Sequence, residues 1–366
     1  MNRIRLISGL AITVLLLFLG LASLLAPQKD YSENENRNLA SFPKISLSGL
    51  ADGSFMKGLE CAITDHFPLR EKLVLTRNRI KMALGHKDIG GAYIGKNGYL
   101  FEKVTEKDIN TDLYKKNLKR IHSLSEEYKN IRFNVMLVPS SGAILKEMLP
   151  SHAQVYNAEA LLSLAEEELK DCRVIHLTSP LEQAAESMQV FYKTDHHWTE
   201  NGAYVGYWIL TNGEGAYKTL KTLPGSDELL GTLYSKVLTN PDTKDTINLP
   251  VVEKDVKVKI NGKDASLYCK EKLEEKDKYA VFLGGNHGLA EIFGTGKGNI
   301  LILKDSFANG FVPFLTKDYA KITMIDLRFY SGSVKTYMAE NSFDDVLVLY
   351  ELNNFANDTN IAKLGL

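Results

Sequence analysis

The chain has 366 residues, with 44 lysines and arginines against 45 aspartates and glutamates, so its formal net charge is −1. This balance excludes the basic footprint of a nucleic-acid-binding protein, and the length is enough to bury a sizeable core in one or two domains. The three cysteines, Cys61, Cys172 and Cys269, are too few and too widely spaced for a disulfide framework, and no CxxC or Cys/His cluster indicates a zinc site.

The N-terminal segment predicts export. Arg3 and Arg5 precede an uncharged run from Leu6 to Ala26 that is rich in leucine, isoleucine, valine and phenylalanine. About 20 such residues span a bilayer as a helix, and positive charge before a first span favours placing the following chain outside the cell. We therefore predict a single-pass membrane anchor over residues 1–27. The alternative is a cleaved signal peptide, which normally has a shorter apolar region and a small residue where this chain has Leu24.

Residues 28–110 are expected to form a tether and a segment that leads into the main domain. Gln28 to Arg37 is polar. Phe55 to Leu84 has apolar residues three and four apart, which predicts helices with charged faces. Gly95 to Phe101 is typical of a turn that enters a short strand.

From residue 111 onward, predicted helices and strands alternate. The strands are short and almost continuously apolar, which is typical of a mostly parallel sheet with helices on both faces. We therefore predict an α/β domain over residues 111–366, with a polar, lysine-rich insertion at about 211–278. The predicted strands are Arg132–Val138, Arg173–Leu177, Tyr279–Leu283, Asn299–Leu303, Ile322–Ile325 and Val346–Tyr350, and the predicted helices are Leu113–Tyr128, Ala158–Lys170, Phe307–Leu315 and Ser333–Glu340.

One loop carries an aspartate and two histidines at a predicted strand end, where ligands of such sheets gather. It follows the apolar residues 190–192 and contains Asp195, His196 and His197. An aspartate two residues before a histidine can accept the imidazole Nδ1 proton and fix its tautomer, so we predict His197 as a base oriented by Asp195. Two alternatives stay open: a metal site, although no further ligand motif stands nearby, and a structural role in packing against Trp198.

A second strand end leads from Asn299–Leu303 to Ser306, where a helix begins. Backbone N–H groups at a helix N-terminus are free and the helix dipole is positive there, so developing negative charge is stabilised. A serine on such an elbow is a candidate nucleophile, and the histidine loop supplies the base that it needs. The alternative is that Ser306 only caps the helix. Ser140 and Ser141 are rival nucleophiles, but they lack a comparable elbow.

These motifs resemble the DHHW family, whose members are similar to the alginate O-acetyltransferases of the periplasm and have an SGNH-hydrolase-like fold. The Asp-x-His motif precedes the serine, as in the acetyltransferase branch, which resembles a circular permutation of ordinary SGNH hydrolases. The motifs that carry the resemblance span most of the chain and are Glu35-Asn36-Arg37-Asn38-Leu39 with Phe42-Pro43, Gly95-Lys96-Asn97-Gly98-Tyr99-Leu100-Phe101, Thr194-Asp195-His196-His197-Trp198, Gly284-Gly285-Asn286-His287, Lys304-Asp305-Ser306-Phe307 with Pro313-Phe314-Leu315, and Ile325-Asp326-Leu327-Arg328-Phe329-Tyr330.

The resemblance implies a catalytic triad in which Ser306 is the nucleophile, His197 the base and Asp195 the residue that orients it. We predict no metal and no cofactor. Residues just past other predicted strand ends are candidates for the oxyanion hole or for the wall of the substrate pocket, and these are Asn286, Asn353, Arg328 and Tyr330.

We therefore expect an extracytoplasmic O-acetyltransferase that acts on a cell-surface or exported polysaccharide through an acetyl-serine intermediate. Acetyl-CoA is absent outside the membrane, so the resemblance implies a membrane-bound O-acyltransferase as the partner that relays acetyl groups. Two other classes of protein stay open. One is a polysaccharide acetyl esterase with the same triad, and the other is a non-catalytic protein that binds glycans or supports their assembly.

Overall fold

The structure is a computed structural model that describes residues 2–25, 28–213, 217, 219–239, 242–252 and 256–365. The end of the predicted anchor at residue 27 and parts of the predicted insertion at 211–278 lie outside the described residues. The chain divides into two compact units: unit 1 comprises Met1–His86 and Ser235–Asn240, and unit 2 comprises Lys87–Tyr234 and Pro241–Leu366. The boundaries predicted at residues 27 and 110 stay a prediction.

The helices are distributed over both units. They are α1 Asn2–Leu25, α2 Leu47–Ala51, α3 Ser54–Asp65, α4 Arg70–Ala83, α5 Thr111–Glu127, α6 Ser141–Ile144, α7 Ala158–Glu168, α8 Thr178–Ala185, α9 Glu200–Asn212, α10 Thr232–Val237, α11 Phe307–Leu315, α12 Val334–Glu340 and α13 Leu352–Asn357.

The strands lie mainly in unit 2. They are β1 Tyr31–Ser32, β2 Arg37–Asn38, β3 Asp88–Ile89, β4 Ala92–Ile94, β5 Leu100–Glu102, β6 Arg132–Val138, β7 Arg173–Val174, β8 Thr222–Leu229, β9 Asp245–Pro250, β10 Lys257–Ile260, β11 Lys263–Ala265, β12 Leu289–Phe293, β13 Asn299–Lys304, β14 Lys321–Ile325 and β15 Asp345–Glu351.

Unit 1 begins with α1, which contains the apolar stretch Arg5–Ser23 with a mean hydropathy of 2.4. The helix is long and apolar enough to cross a membrane, which is compatible with a single-pass anchor or an export signal.

Part of the predicted tether forms the hairpin β1–β2. This hairpin is fastened to α3 and α4, because Arg37 Nη1 donates to Asp65 Oδ2 of α3 over 2.9 Å and Arg70 at the start of α4 pairs with Glu35.

The centre of unit 2 is an eight-stranded sheet in the order β11-β10-β12-β14-β13-β15-β6-β7. The five strands from β14 to β7 pair in parallel, and β12, β10 and β11 extend the sheet with antiparallel pairs. The predicted α/β fold with a mostly parallel sheet is therefore confirmed.

Both faces of this sheet are covered by helices, as the apolar strands predict. Successive residues of a strand point to opposite faces. On β13, Leu301 and Leu303 pack into the core with α5, α7, α12 and α13, whereas Ile300 and Ile302 pack into the core with α8, α9 and α11. Burial on both sides explains why these strands are continuously apolar.

The predicted elements agree best with the structure along the parallel strands. The predicted bounds of β6 and α11 are those observed. The strand predicted at Tyr279–Leu283 is wrong: Lys278–Val281 forms a 3₁₀ turn, and Phe282 makes only an isolated bridge with Tyr268. Leu283 has a φ of 62°, which takes the chain out of the extended conformation needed for a strand.

Candidate active site

Ser306, His197 and Asp195 form one hydrogen-bonded chain. His197 Nε2 lies 2.8 Å from Ser306 Oγ, and His197 Nδ1 lies 2.6 Å from Asp195 Oδ1. The three residues are 8%, 5% and 2% exposed, respectively. An imidazole that donates from Nδ1 to the carboxylate leaves Nε2 to accept the serine proton, so the geometry suits proton removal from Ser306.

The strand-to-helix turn leaves the Ser306 hydroxyl available to His197. Ser306 is the N-cap residue of α11, but its side chain makes no capping hydrogen bond. Asp305 caps the helix instead, because its Oδ1 accepts the backbone N–H of Phe307 over 3.0 Å. Its Oδ2 accepts the backbone N–H of Glu351 over 2.9 Å and ties the turn to β15. The interpretation of Ser306 as a helix cap alone is therefore wrong.

Asp195 is held by backbone donors on both sides. Its Oδ1 accepts the backbone N–H of His197 over 3.0 Å, and its Oδ2 accepts the backbone N–H of Thr232 over 2.8 Å. Position 231 must be glycine, because a Cβ there would overlap the Asp195 side chain. The carboxylate is thus fixed in the orientation that meets His197.

The His197 ring is also fixed by packing. The ring of Tyr279 stacks on it at 3.8 Å between centroids and 10° between planes. Tyr279 also donates its hydroxyl to the backbone oxygen of Ser306 over 3.3 Å. On the other side of the loop, Trp198 Nε1 donates to the backbone oxygen of Phe307 over 3.0 Å, which joins the histidine loop to the start of α11.

The charge on Asp195 is stabilised by the two histidines. Burial is the largest single influence on its pKa and acts to raise it. The attraction to His197 and His196, with the hydrogen bonds from His197 and Thr232, outweighs burial, so the pKa of Asp195 lies below its ordinary value. Asp195 is therefore a carboxylate that accepts a hydrogen bond from His197 Nδ1 and is able to stabilise a positive charge on that imidazole.

The metal alternative has a geometric basis in the same loop. Ligand atoms of Asp195, His196 and His197 lie within 4.8 Å of one another. Each of these residues already has a partner, since His197 contacts Asp195 and Ser306 and His196 Nδ1 lies 2.7 Å from Thr232 Oγ1. A metal ion would have to displace these contacts, so the arrangement favours proton transfer over metal binding.

Lys304, the last residue of β13 and two residues before Ser306, is a buried cation. Its Nζ donates to Asn309 Oδ1 over 2.7 Å and to Asn286 Oδ1 over 3.0 Å, and it lies 3.6 Å from Asp326 Oδ2. Asn309 Nδ2 also donates to Asn286 Oδ1, over 3.1 Å. Burial lowers the pKa of Lys304 to about 8, against the attraction of Asp326, which raises it. Because Lys304 and Asn309 both donate to Asn286 Oδ1, the Nδ2 group of this exposed side chain points away from these two residues.

The other predicted pocket residues are not bonded to the triad in the described part of the chain. Arg328 forms a fork with Asp326, with Nε 2.9 Å from Oδ1 and Nη2 2.7 Å from Oδ2. Arg328 thereby belongs to the same charge network as Lys304, since both contact Asp326. Asn353 is buried in α13, and its Oδ1 has no hydrogen-bond partner there. Tyr330 accepts Lys363 Nζ through its backbone oxygen.

Several residues of the site were not predicted as site residues. The sequence pattern predicts Tyr279 as part of a strand, and the backbone N–H of Thr232 has no signature in the sequence. Asn309 lies three residues after Ser306, so helical spacing from the serine could have identified it.

The fold is SGNH-hydrolase-like, and the candidate site holds a hydrogen-bonded serine, histidine and aspartate. Two family models match the chain, one described as the SGNH hydrolase-like domain of the acetyltransferase AlgX over residues 92–224 and one described as DHHW protein over residues 169–325. The resemblance to the DHHW family and to the alginate acetyltransferases is thereby confirmed.

Solved structures agree on the fold. A DHHW family protein from Eubacterium siraeum superposes with a TM-score of 0.63 at 18% identity, over 75% of this chain and 95% of that chain. PatB1 from Bacillus cereus superposes with a TM-score of 0.59 at 22% identity in its structure with a sulfonyl adduct, over 72% of this chain and 97% of that chain. No curated protein sequence matches the chain.

Proposed function

We propose that this chain is an extracytoplasmic O-acetyltransferase that moves acetyl groups onto a cell-surface or exported polysaccharide through an acetyl-Ser306 intermediate. The observation that carries the proposal is the chain of hydrogen bonds from Ser306 Oγ through His197 to Asp195. The match to the AlgX acetyltransferase domain supports acetyl transfer as the reaction.

In the first half-reaction, His197 Nε2 removes the proton of Ser306 as Oγ attacks the carbonyl carbon of an acetyl ester. The bond from that carbon to the leaving oxygen then breaks, and His197 returns the proton to the leaving group. The product is an acetyl ester on Ser306, and a difficult transfer is split into two easier steps. Asp195 stabilises the charged His197 in both proton transfers.

In the second half-reaction, a sugar hydroxyl is the nucleophile and acetyl-Ser306 is the acetyl donor. His197 Nε2 removes the hydroxyl proton, the sugar oxygen attacks the acetyl carbon, and the bond to Ser306 Oγ breaks. Ser306 recovers its proton from His197. If water enters instead of the sugar, the same steps release acetate, which is the esterase alternative.

The negative oxygen of each tetrahedral intermediate needs donors that are already in place. The backbone N–H of Ser306, at the N-terminal end of α11, is one candidate. The Nδ2 group of Asn286 is the second, because Lys304 and Asn309 hold the opposite oxygen of its amide. Asn353, Arg328 and Tyr330 stay proposals for the wall of the acceptor pocket.

The acetyl donor comes from a membrane partner in this proposal. The apolar helix α1 supports anchoring of the domain at the outer side of a membrane, where acetyl-CoA is absent. A membrane-bound O-acyltransferase that exports acetyl groups is therefore the proposed partner, and the polysaccharide is the proposed acceptor.

Mass spectrometry of the full chain after incubation with an activated acetyl ester tests the mechanism. We expect one acetyl group on Ser306, loss of that group when an oligosaccharide is added, and acetylated oligosaccharide as the product. The matched control is Ser306→Ala, which should carry no acetyl group. Acetate release that the oligosaccharide leaves unchanged would assign the esterase reaction, and a folded protein with no acetyl-serine would contradict both.

A further inference from the structure

Exposed apolar side chains are concentrated in unit 1. Outside α1, nine large apolar residues of its described part are exposed, whereas the described part of unit 2 has three. A monomeric protein in water rarely exposes such a concentration unless the surface binds something. The nine are Tyr31, Ile45, Leu47, Leu50, Met56, Leu69, Leu73, Ile80 and Leu84, and the three are Leu223, Val251 and Phe329.

Four of the nine form a stripe along α4. Leu69, Leu73, Ile80 and Leu84 are 69%, 52%, 55% and 74% exposed, respectively. Leu73 and Ile80 lie within α4 seven residues apart, which places them on the same side of a helix with 3.6 residues per turn. Leu69 and Leu84 flank the helix at its two ends, Leu69 with a left-handed backbone (φ 59°), and extend the exposed apolar surface there. The opposite side of α4 packs within the unit, where buried Asn78 donates to the backbone oxygen of Val237 over 2.6 Å.

The stripe is bordered by positive charge. The exposed charged residues of α4 are Lys72, Arg77 and Arg79. At about 100° per residue, Lys72 and Arg79 fall on one side of the stripe and Arg77 on the other. Glu71 is the one acidic residue of the helix, and it accepts Asn34 Nδ2 over 2.9 Å. An apolar stripe between cations is typical of a helix that lies in the interface of an anionic membrane.

The same unit contains the helix that can cross a membrane. Leu6 to Phe18 of α1 are exposed, whereas Ser23 near its C-terminal end is buried, and α1 contacts α3. A bilayer that holds α1 therefore lies next to unit 1. This continuity, together with the charge of α4, selects an anionic lipid surface as the occupant of the stripe.

We propose that α4 binds the membrane surface, with the stripe Leu69, Leu73, Ile80 and Leu84 among the lipid chains and Lys72, Arg77 and Arg79 on anionic head groups. Such binding holds unit 1 flat on the bilayer, which a single spanning helix does not do. The proposal is independent of acetyl transfer.

Spin labels on the full chain in lipid vesicles test this arrangement. Cys61, Cys172 and Cys269 are replaced by serine, and a label is attached to Leu73→Cys or Ile80→Cys. Two collision rates of the label are measured, one with oxygen, which concentrates in lipid, and one with a nickel chelate, which stays in water. Each vesicle carries no more than one chain. In vesicles of phosphatidylcholine and phosphatidylglycerol, we expect the ratio of the two rates to be severalfold higher at both positions than at an aqueous position.

The matched aqueous control is Ser123→Cys, an exposed position on α5. Replacement of Lys72, Arg77 and Arg79 by glutamine should lower the ratio at Leu73→Cys to the value seen in vesicles of phosphatidylcholine alone. Labels at Leu73 and Ile80 that match Ser123 in every vesicle would overturn the proposal. Labels shielded from both reagents whatever the lipid would also overturn it, because that result identifies a protein interface.

Discussion

Lys304 Nζ lies 3.0 Å from Asn286 Oδ1, so a buried cation at the end of β13 holds the amide of a residue 18 positions earlier. Asn309 Nδ2 holds the same oxygen from α11. The amide of Asn286 therefore has a fixed direction before substrate binds. A donor fixed in advance stabilises an oxyanion without reorganisation when the charge develops.

Asn286→Asp should lower the rate of acetyl transfer, because a carboxylate of the same shape cannot donate to an oxyanion and carries a repelling charge. A lost oxyanion donor costs about 10²–10³ in kcat. Lys304→Met should lower the rate less and through the orientation of Asn286. Steady-state kinetics with an activated acetyl ester measure both effects. A normal kcat for Asn286→Asp would remove Asn286 from the oxyanion hole and leave the backbone N–H of Ser306.

Ser306→Ala should abolish acetyl transfer with little loss of stability, because Asp305 rather than Ser306 caps α11. Loss of a serine nucleophile lowers kcat by a factor on the order of 10⁶. His197→Ala should be about as severe, and Asp195→Asn should lose about 10⁴ through the wrong imidazole tautomer. Acetyl-serine formation and thermal unfolding are measured for each variant.

The control for this series is His196→Ala. A metal site in the loop needs His196, whereas the proposed triad does not. We expect His196→Ala to keep most of the transfer activity, and we expect a chelator to leave the wild type active. Inactivation by the chelator to the level of Ser306→Ala would replace the serine mechanism with metal chemistry.

The triad could be predicted from the sequence because its members lie at points that local pattern marks. Asp195 and His197 are two residues apart in a loop, and Ser306 follows a strand at the start of a helix. The sequence places both segments at the carboxyl ends of strands in one sheet, where such ends meet at one edge. The structure corrects this for the histidine loop, because residues 190–192 form no strand of the sheet and Phe191 makes only an isolated bridge with Trp198. The two segments still meet across 109 residues, through the contact of His197 with Ser306. The bounds of β6 and α11 were predictable from local pattern alone, because each element is an apolar run that ends at a polar turn.

The supporting contacts could not be predicted in the same way. A short apolar run such as Tyr279–Leu283 fits a strand as well as another buried segment, so pattern alone could not place Tyr279 on the His197 ring. The donor to Asp195 Oδ2 is the backbone N–H of Thr232, and a backbone group has no residue type that marks it. The antiparallel edge of the sheet includes short, partly polar strands such as β11, whose periodicity is weak.

Gly231→Ala should lower acetyl transfer as strongly as Asp195→Asn. The added Cβ would overlap the Asp195 side chain, so the carboxylate has to move away from the Thr232 N–H or from His197. The matched control is Gly142→Ala in α6, where the nearest atom to an added Cβ is Val155 Cγ2 at 3.5 Å, an ordinary contact. Transfer rates and unfolding temperatures of the two variants are compared. Equal rates for Gly231→Ala and Gly142→Ala would show that the position of Asp195 is not critical.

The free energy of unfolding should rise with pH between about 8 and 10.5 through Lys304. Burial lowers the pKa of this lysine from its ordinary 10.5 to about 8 in the folded protein. In that range the unfolded chain binds the proton and the folded chain has lost it, so each increase in pH favours the folded state. Below pH 8 both states are charged at Lys304, and its contribution no longer changes with pH. Urea unfolding at pH 8, 9 and 10 measures the slope.

Lys304→Met is the variant that isolates this effect, because it fills similar space without a titrating group. The difference in unfolding free energy between the wild type and Lys304→Met should shift in favour of the wild type as pH rises from about 8 to 10.5. Lys317→Met, at an exposed position where the cation lies over the ring of Tyr207, serves as the control for removing a lysine charge from the surface. A pH-independent difference for Lys304→Met would mean that the buried lysine keeps its proton throughout this range, held by Asp326 more strongly than burial opposes it.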